Sequence, residues 1–199
     1  MQEIIPRYEF RVFAQNFGLV EDKLQRLAHF ERYRESAEVY LLSRTGGDHN
    51  TKIRDGKLDI KTLLRVERGL EQWTVRMKTE FPLDQERVNE LFAILGVTAP
   101  ELRRDQYSSA NFVEELARPH AGLAVARVFK RRYGYIIGRC TAELANLLVN
   151  GAAIRTVAVE SEDPEAVIET RENLGLQEYP NVSYPLALKR ITGLQPPAD

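Results

Sequence analysis

The dipeptide Asp55-Gly56 constrains this chain more than any other feature. It stands between two strand-like runs, Thr51-Lys52-Ile53-Arg54 and Leu58 to Glu67. A two-residue hairpin loop that follows strand twist needs positive φ at its central residues, which Asp-Gly adopts at little steric cost. The chain is thereby committed to an antiparallel pair. On one strand Lys52 and Arg54 share a face; on the next Asp59, Lys61, Leu63 and Arg65 do, so Lys61 is expected near Lys52 or Arg54. Similar alternation recurs. Arg7 to Phe13 sets Arg7, Glu9, Arg11 and Phe13 against Tyr8, Phe10 and Val12. Glu38 to Arg44 reads as a strand, and Glu71 to Phe81 places Trp73, Val75 and Met77 opposite Thr74, Arg76 and Lys78. Three or four more strands fit between Leu123 and Glu162, one turn marked by Asn150-Gly151 and an earlier turn by Gly46-Gly47-Asp48.

Helical spacing interrupts this pattern. Segment 21–33 carries Leu24, Leu27 and Phe30 and predicts a short amphipathic helix. Segment 83–97 has Val88, Leu91, Phe92 and Leu95 on one face, Asp84 as N-cap and Gly96 as stop. A weaker helix is predicted over 111–117, another from Asp163-Pro164 to Leu174 with Gly175 closing it, and a last one over Tyr184 to Ile191 before a frayed tail. Many hairpins and few long crossovers predict an α+β fold, an antiparallel sheet decorated by helices and not a doubly wound parallel sheet. Charge on one face of several strands would be wet in an open sheet and would line a polar interior in a closed barrel.

Composition narrows the class. At 199 residues, 43% apolar and 29% charged, the chain suits a single soluble domain over residues 1–199. It has no apolar run long enough for a membrane helix, no signal-peptide pattern at its start, and one cysteine, Cys140, which excludes an internal disulfide or a cysteine-based zinc site. A cytoplasmic location is the expectation. The net charge of −1 hides an asymmetry: residues 141–199 hold nine acids and four bases, whereas 121–140 hold five bases and no acid. Segregation of this kind can build an anion site beside an acidic one.

The basic set is Lys52, Arg54, Lys61, Arg76, Lys78, Lys130 and Arg132. Cations gathered on one face repel unless an anion joins them, and phosphate suits both guanidinium forks and ammonium groups. A solvated face balanced by scattered acids is the alternative. The acidic set is Glu160 and Glu162, with Glu143 on a preceding strand and Glu9 near the start. Two carboxylates at i, i+2 on a strand can hold Mg²⁺ or Mn²⁺, or can be surface acids leading into the helix that follows, where negative charge is favourable. His29, His49 and His120 lack metal-ligand spacing, Cys140 reads as a buried structural thiol, and an isoelectric point near 6.4 argues against a nucleic-acid partner.

In order, these pieces resemble the CYTH domain of the triphosphate tunnel metalloenzyme superfamily. The family's first-strand E-x-E-x-K corresponds to Glu9-Phe10-Arg11-Val12-Phe13, its [KR]-x-R strand to Lys52-Ile53-Arg54 with Lys61 after the hairpin, and its later K-x-R to Lys130-Arg131-Arg132. Its acidic strand position is similar to Glu143, its E-x-E to Glu160-Ser161-Glu162, and its closing L-G-L and S-Y to Leu174-Gly175-Leu176 and Ser183-Tyr184. The resemblance implies an eight-stranded antiparallel barrel whose basic residues grip a triphosphate. It implies a metal-dependent phosphohydrolase acting on inorganic, nucleoside or thiamine triphosphate, with triphosphatase activity expected ahead of adenylyl cyclase. Glu9, Glu143, Glu160 and Glu162 would be ligands of Mg²⁺ or Mn²⁺, and the seven cations phosphate contacts. A small-molecule polyphosphate is the expected partner, with a homodimer compatible and no membrane. Arg11 and Phe13 depart from the family's Glu and Lys, which weakens the metal site and raises the alternative of a non-catalytic polyphosphate or nucleotide binder.

Overall fold

The alternating runs become strands β1 (Tyr8–Ala14), β2 (His29–Ser43), β3 (His49–Arg54), β4 (Lys57–Glu67), β5 (Leu70–Glu80), β6 (Leu83–Asp84), β7 (Gln106–Tyr107), β8 (Leu123–Ile137), β9 (Cys140–Val149) and β10 (Ala152–Ser161). The helices are α1 (Val20–Leu27), α2 (Gln85–Ile94), α3 (Ser109–Asn111), which continues as a π-helical turn over Phe112–Ala117, α4 (Pro164–Leu174) and α5 (Tyr184–Ile191). The structure is a computed structural model and describes residues 5–44 and 48–194, so the Gly46-Gly47 turn and the C-terminal tail lie outside the described residues. Eight strands close into an antiparallel barrel in the order β1-β10-β9-β8-β2-β3-β4-β5, with β6 and β7 paired separately. This is the expected α+β barrel with peripheral helices.

The hairpin chemistry holds: φ is 52° at Asp55 and 70° at Gly56, and 49° and 92° at Asn150 and Gly151. Asp84 caps α2 by accepting a hydrogen bond from the Arg87 amide, and Asp163 caps α4 by accepting one from the Glu165 amide. Gly175, at φ 77°, ends α4 in the left-handed conformation.

Contacts fall into two compact units. The first comprises Met1–Ser36, Leu63–Thr74 and Phe129–Ser183, and the second Ala37–Thr62, Val75–Val128 and Tyr184–Asp199. Within the first, Phe10 and Val12 of β1, Leu144 of β9 and Val157 and Val159 of β10 pack with Val20 and Leu24 of α1 and Val167 and Leu174 of α4. Helices thus cover the apolar side of these strands, which turns their polar side to the barrel interior. The second unit packs Ile53, Leu58 and Ile60 of β3 and β4 against Val88, Leu91 and Phe92 of α2 and Phe112 of the π-helical turn.

Two expectations are corrected. Helix α1 stops at Leu27, and Phe30 belongs to β2, because aromatic pairing across the sheet outweighs local helical spacing: Phe30 meets Tyr135 at 5.7 Å and Tyr33 meets Tyr133 at 5.1 Å. On β5 the alternation does not hold throughout. Leu70 and Gln72 are buried at one end and Met77 at the other, with Val75 exposed between them, a one-residue change of phase along a strand that serves both cores.

Candidate functional site

Register places the first unit's acids. On β1 the polar side carries Glu9 and Arg11. Glu9 pairs with Glu160 on β10 and with Glu71 on β5, and Arg11 pairs with Ala158, which itself faces Glu143 on β9. Three of these carboxylates, on Glu9, Glu143 and Glu160, surround one position, and Arg11 fills it. Only 6% exposed, its Nε donates to Glu9 Oε1 at 2.5 Å; Nη1 lies 3.4 Å from Thr156 Oγ1 and 3.6 Å from Glu143, and Nη2 lies 3.9 Å from Glu160. The backbone of Arg11 is pinned as well. Its amide donates to Asn181 Oδ1 at 2.8 Å and its carbonyl accepts from the Val182 amide at 2.7 Å. Burial pushes the Glu71 carboxyl above the usual carboxylate range, against the pull of a hydrogen bond from Trp73, with the Glu9 charge adding to the rise.

Arg132 of β8 stands on the other side of Glu143, Nη1 to Oε2 at 3.8 Å. Its Nε and Nη2 are buried without a hydrogen-bond partner. Arg132, Glu143 and Glu160 line a cavity of about 240 Å³ that also reaches Arg7, Arg32 and Arg34. Lys130, two residues earlier, is buried. Glu162 falls past the end of β10 and is exposed, because the strand stops at Ser161 before the Asp163 cap.

In the second unit, Tyr40 pairs with Lys52, Lys52 with Asp59 and Asn50 with Lys61. Lys61 is thus opposite Asn50, and Lys52 is opposite an acid, because Arg54 pairs with Lys57 directly across the hairpin turn. Lys52 Nζ is 3.9 Å from Asp59, and Arg54 Nη1 is 3.3 Å from Glu38, whose side chain is fully buried and also accepts from the Tyr40 hydroxyl at 3.0 Å. Burial holds the Lys52 ammonium below its ordinary range, partly offset by Glu38 and Asp59. Tyr40 in turn stacks on Tyr184 of α5 at 5.7 Å. Arg76 and Lys78 are exposed on β5.

Sequence reasoning missed Glu38 and Glu71. Each begins a strand-like run, and only the register reveals that it faces Arg54 or Glu9. Cys140 is a buried thiol accepting from Thr170 at 3.4 Å, which agrees with its structural reading.

A divalent metal among Glu9, Glu143, Glu160 and Glu162 was the expectation from resemblance, and the residues present do not fit one. A hard cation needs carboxylate oxygens at roughly 2.0–2.6 Å around a shared centre. Here a guanidinium occupies that centre, Glu162 is exposed past the end of β10, and among the described residues no three His, Cys, Asp or Glu side chains are arranged to hold a metal.

The closed eight-stranded antiparallel barrel with peripheral helices is a fold that solved structures share. Among solved structures, PH1819 protein from Pyrococcus horikoshii OT3 matches 93% of this chain and 99% of its own at 17% identity and a TM-score of 0.50. A putative adenylate cyclase, bh2851, from Bacillus halodurans matches 91% of this chain and 97% of its own at 9% identity and 0.50. PH1012 protein from Pyrococcus horikoshii OT3 matches 90% and 98% at 22% identity and 0.48. At these identities the likeness is one of fold. No family sequence model matches the chain, and no curated protein matches it in sequence.

Proposed function

We propose that the protein binds a triphosphate or related polyphosphate anion at Arg132. The observation that carries this is the pair of buried, unpartnered donors on Arg132, Nε and Nη2, at a cavity with further arginines on its wall. A buried donor left unmade costs about 1–3 kcal/mol, which an incoming anion oxygen recovers. Guanidinium geometry matches phosphate oxygens, and the fold supports the triphosphate class. Lys130 belongs to the same proposal; within the second unit, Lys52, Arg54, Lys61, Arg76 and Lys78 are proposed as phosphate contacts in their own right. Within that unit Lys52 and Arg54 are already partly neutralised by Asp59 and Glu38.

A second reading is hydrolysis of that triphosphate with Mg²⁺ or Mn²⁺ arriving on the substrate, since Arg11 holds the place among the acids; it is favoured by one count, Glu9, Glu71, Glu143 and Glu160 against the guanidiniums of Arg11 and Arg132. A thermal-shift titration with inorganic triphosphate, read beside phosphate release with and without divalent cations, separates the readings. Binding should raise the melting temperature of the wild type, and Arg132→Gln should weaken affinity about tenfold, near 1.4 kcal/mol. No shift at millimolar triphosphate would end both readings; metal-dependent phosphate release would favour the second.

A further inference from the structure

We infer that Arg11 is a built-in counter-ion, holding the place among Glu9, Glu143 and Glu160 that a dissociable divalent cation would otherwise take. The three carboxylates come from β1, β9 and β10 and converge because register demands it: Glu9 opposite Glu160, and Ala158 opposite both Arg11 and Glu143. Three like charges this close need a cation. The guanidinium supplies one, reaching Glu9 through Nε, Glu143 through Nη1 and Glu160 through Nη2. It cannot swing away easily. The strand alternation that buries Phe10 and Val12 aims Arg11 at the opposite side, and Asn181 and Val182 clamp its main chain. Nor can it lose its charge, since arginine stays protonated throughout the accessible pH range.

Two consequences follow from a tethered cation. The compensating charge is permanent, so chelators and metal concentration should not affect the folded state. The donors of Arg11 are also committed to protein oxygens, so an anion meets Arg132, which shares Glu143 with Arg11 through the other carboxylate oxygen. This inference rests on the carboxylate geometry and does not depend on the triphosphate reading, so it is tested with Mn²⁺ alone.

The experiment is a Mn²⁺ titration followed by electron paramagnetic resonance and by thermal shift, on wild type, Arg11→Gln and Arg11→Glu. The wild type should leave Mn²⁺ unbound at sub-millimolar concentration and melt at the same temperature with Mn²⁺ or with a chelator. Arg11→Gln should melt lower, be raised by Mn²⁺, and bind it at least about tenfold more tightly than wild type; Arg11→Glu, with one more carboxylate, should bind more tightly still. If Arg11→Gln does not fold alone, recovery of soluble, cooperatively melting protein on refolding with Mn²⁺ supports the inference, and failure in both conditions overturns it. Micromolar Mn²⁺ binding by the wild type that disappears in Glu9→Gln also overturns it. So does a folded Arg11→Gln that gains no Mn²⁺ affinity.

Discussion

Glu38→Gln should lower the stability of the empty protein and raise its response to triphosphate. The carboxylate of Glu38 is fully buried, receives the Tyr40 hydroxyl at 3.0 Å, and stands 3.3 Å from Arg54. Glutamine keeps the shape and can still accept from Tyr40, so the substitution removes chiefly charge. Breaking a buried ion pair costs about 3–5 kcal/mol. Arg54 retains 26% exposure and Lys52 keeps Asp59, so solvent and the second acid absorb part of that loss and about 2–3 kcal/mol is expected. For a chain of this size that is a fall of about 5–10 °C in melting temperature. The sign reverses for ligand. With Glu38 neutral, Lys52 and Arg54 present more uncompensated charge, so triphosphate should stabilise the variant more than the wild type at equal concentration. The assay is urea denaturation with and without inorganic triphosphate. A variant whose unfolding free energy is within about 0.5 kcal/mol of wild type, with an unchanged denaturant slope, would refute the ion-pair reasoning. A variant that loses stability but gains no added stabilisation by triphosphate would detach Lys52 and Arg54 from the anion.

Other outcomes can be stated briefly. Glu71→Gln should stabilise the protein at neutral pH: burial raises the folded carboxyl above its unfolded value near 4.3, so the folded state binds the extra proton, and stability falls as pH rises through that window. The melting-temperature difference between variant and wild type should vanish below about pH 4 and grow above it; a constant difference would contradict this. Asp163→Ala should cost about 1 kcal/mol through loss of the cap on α4, measured by urea denaturation, while Asp163→Asn should cost less. Leu91→Ala, in the buried contact between α2 and the second unit's core, should cost about 2–5 kcal/mol, and a loss under 1 kcal/mol would place that helix outside the cooperative core.

Much of the fold was legible because its signals are local. Asp55-Gly56, Asp84, Asp163-Pro164 and Gly175 each act through their own backbone neighbourhood, and each sits where its chemistry requires. Helical spacing over 21–33 does not survive past Leu27, because Phe30 and Tyr33 gain more from rings on another strand than from a helical face, a contact no window of sequence contains. The site divides along the same line. Lys52, Arg54 and Arg132 were visible as alternation on single strands. Glu71 opposite Glu9, Glu38 beside Arg54 and the burial of Arg11 among acids depend on pairings between distant segments. Arg11 in sequence is a departure from a pattern; in the structure it is the centre of the cluster.

The clamp on Arg11 also covers part of a strand edge. Strand β1 pairs with β5 at Tyr8 and Glu9, and at Arg11 the same side of the strand is met by Asn181 and Val182 from a loop, with Asn181 Nδ2 donating to Gly69 at 2.8 Å. A strand edge with free amides and carbonyls is a template for another chain's strand. The loop after α4 therefore serves as a cover strip along this seam, with one asparagine side chain imitating a peptide group on each side of it. Asn181→Ala should uncover that edge beside apolar Phe10 and Val12, and light scattering on heating should then rise at a lower temperature than in the wild type.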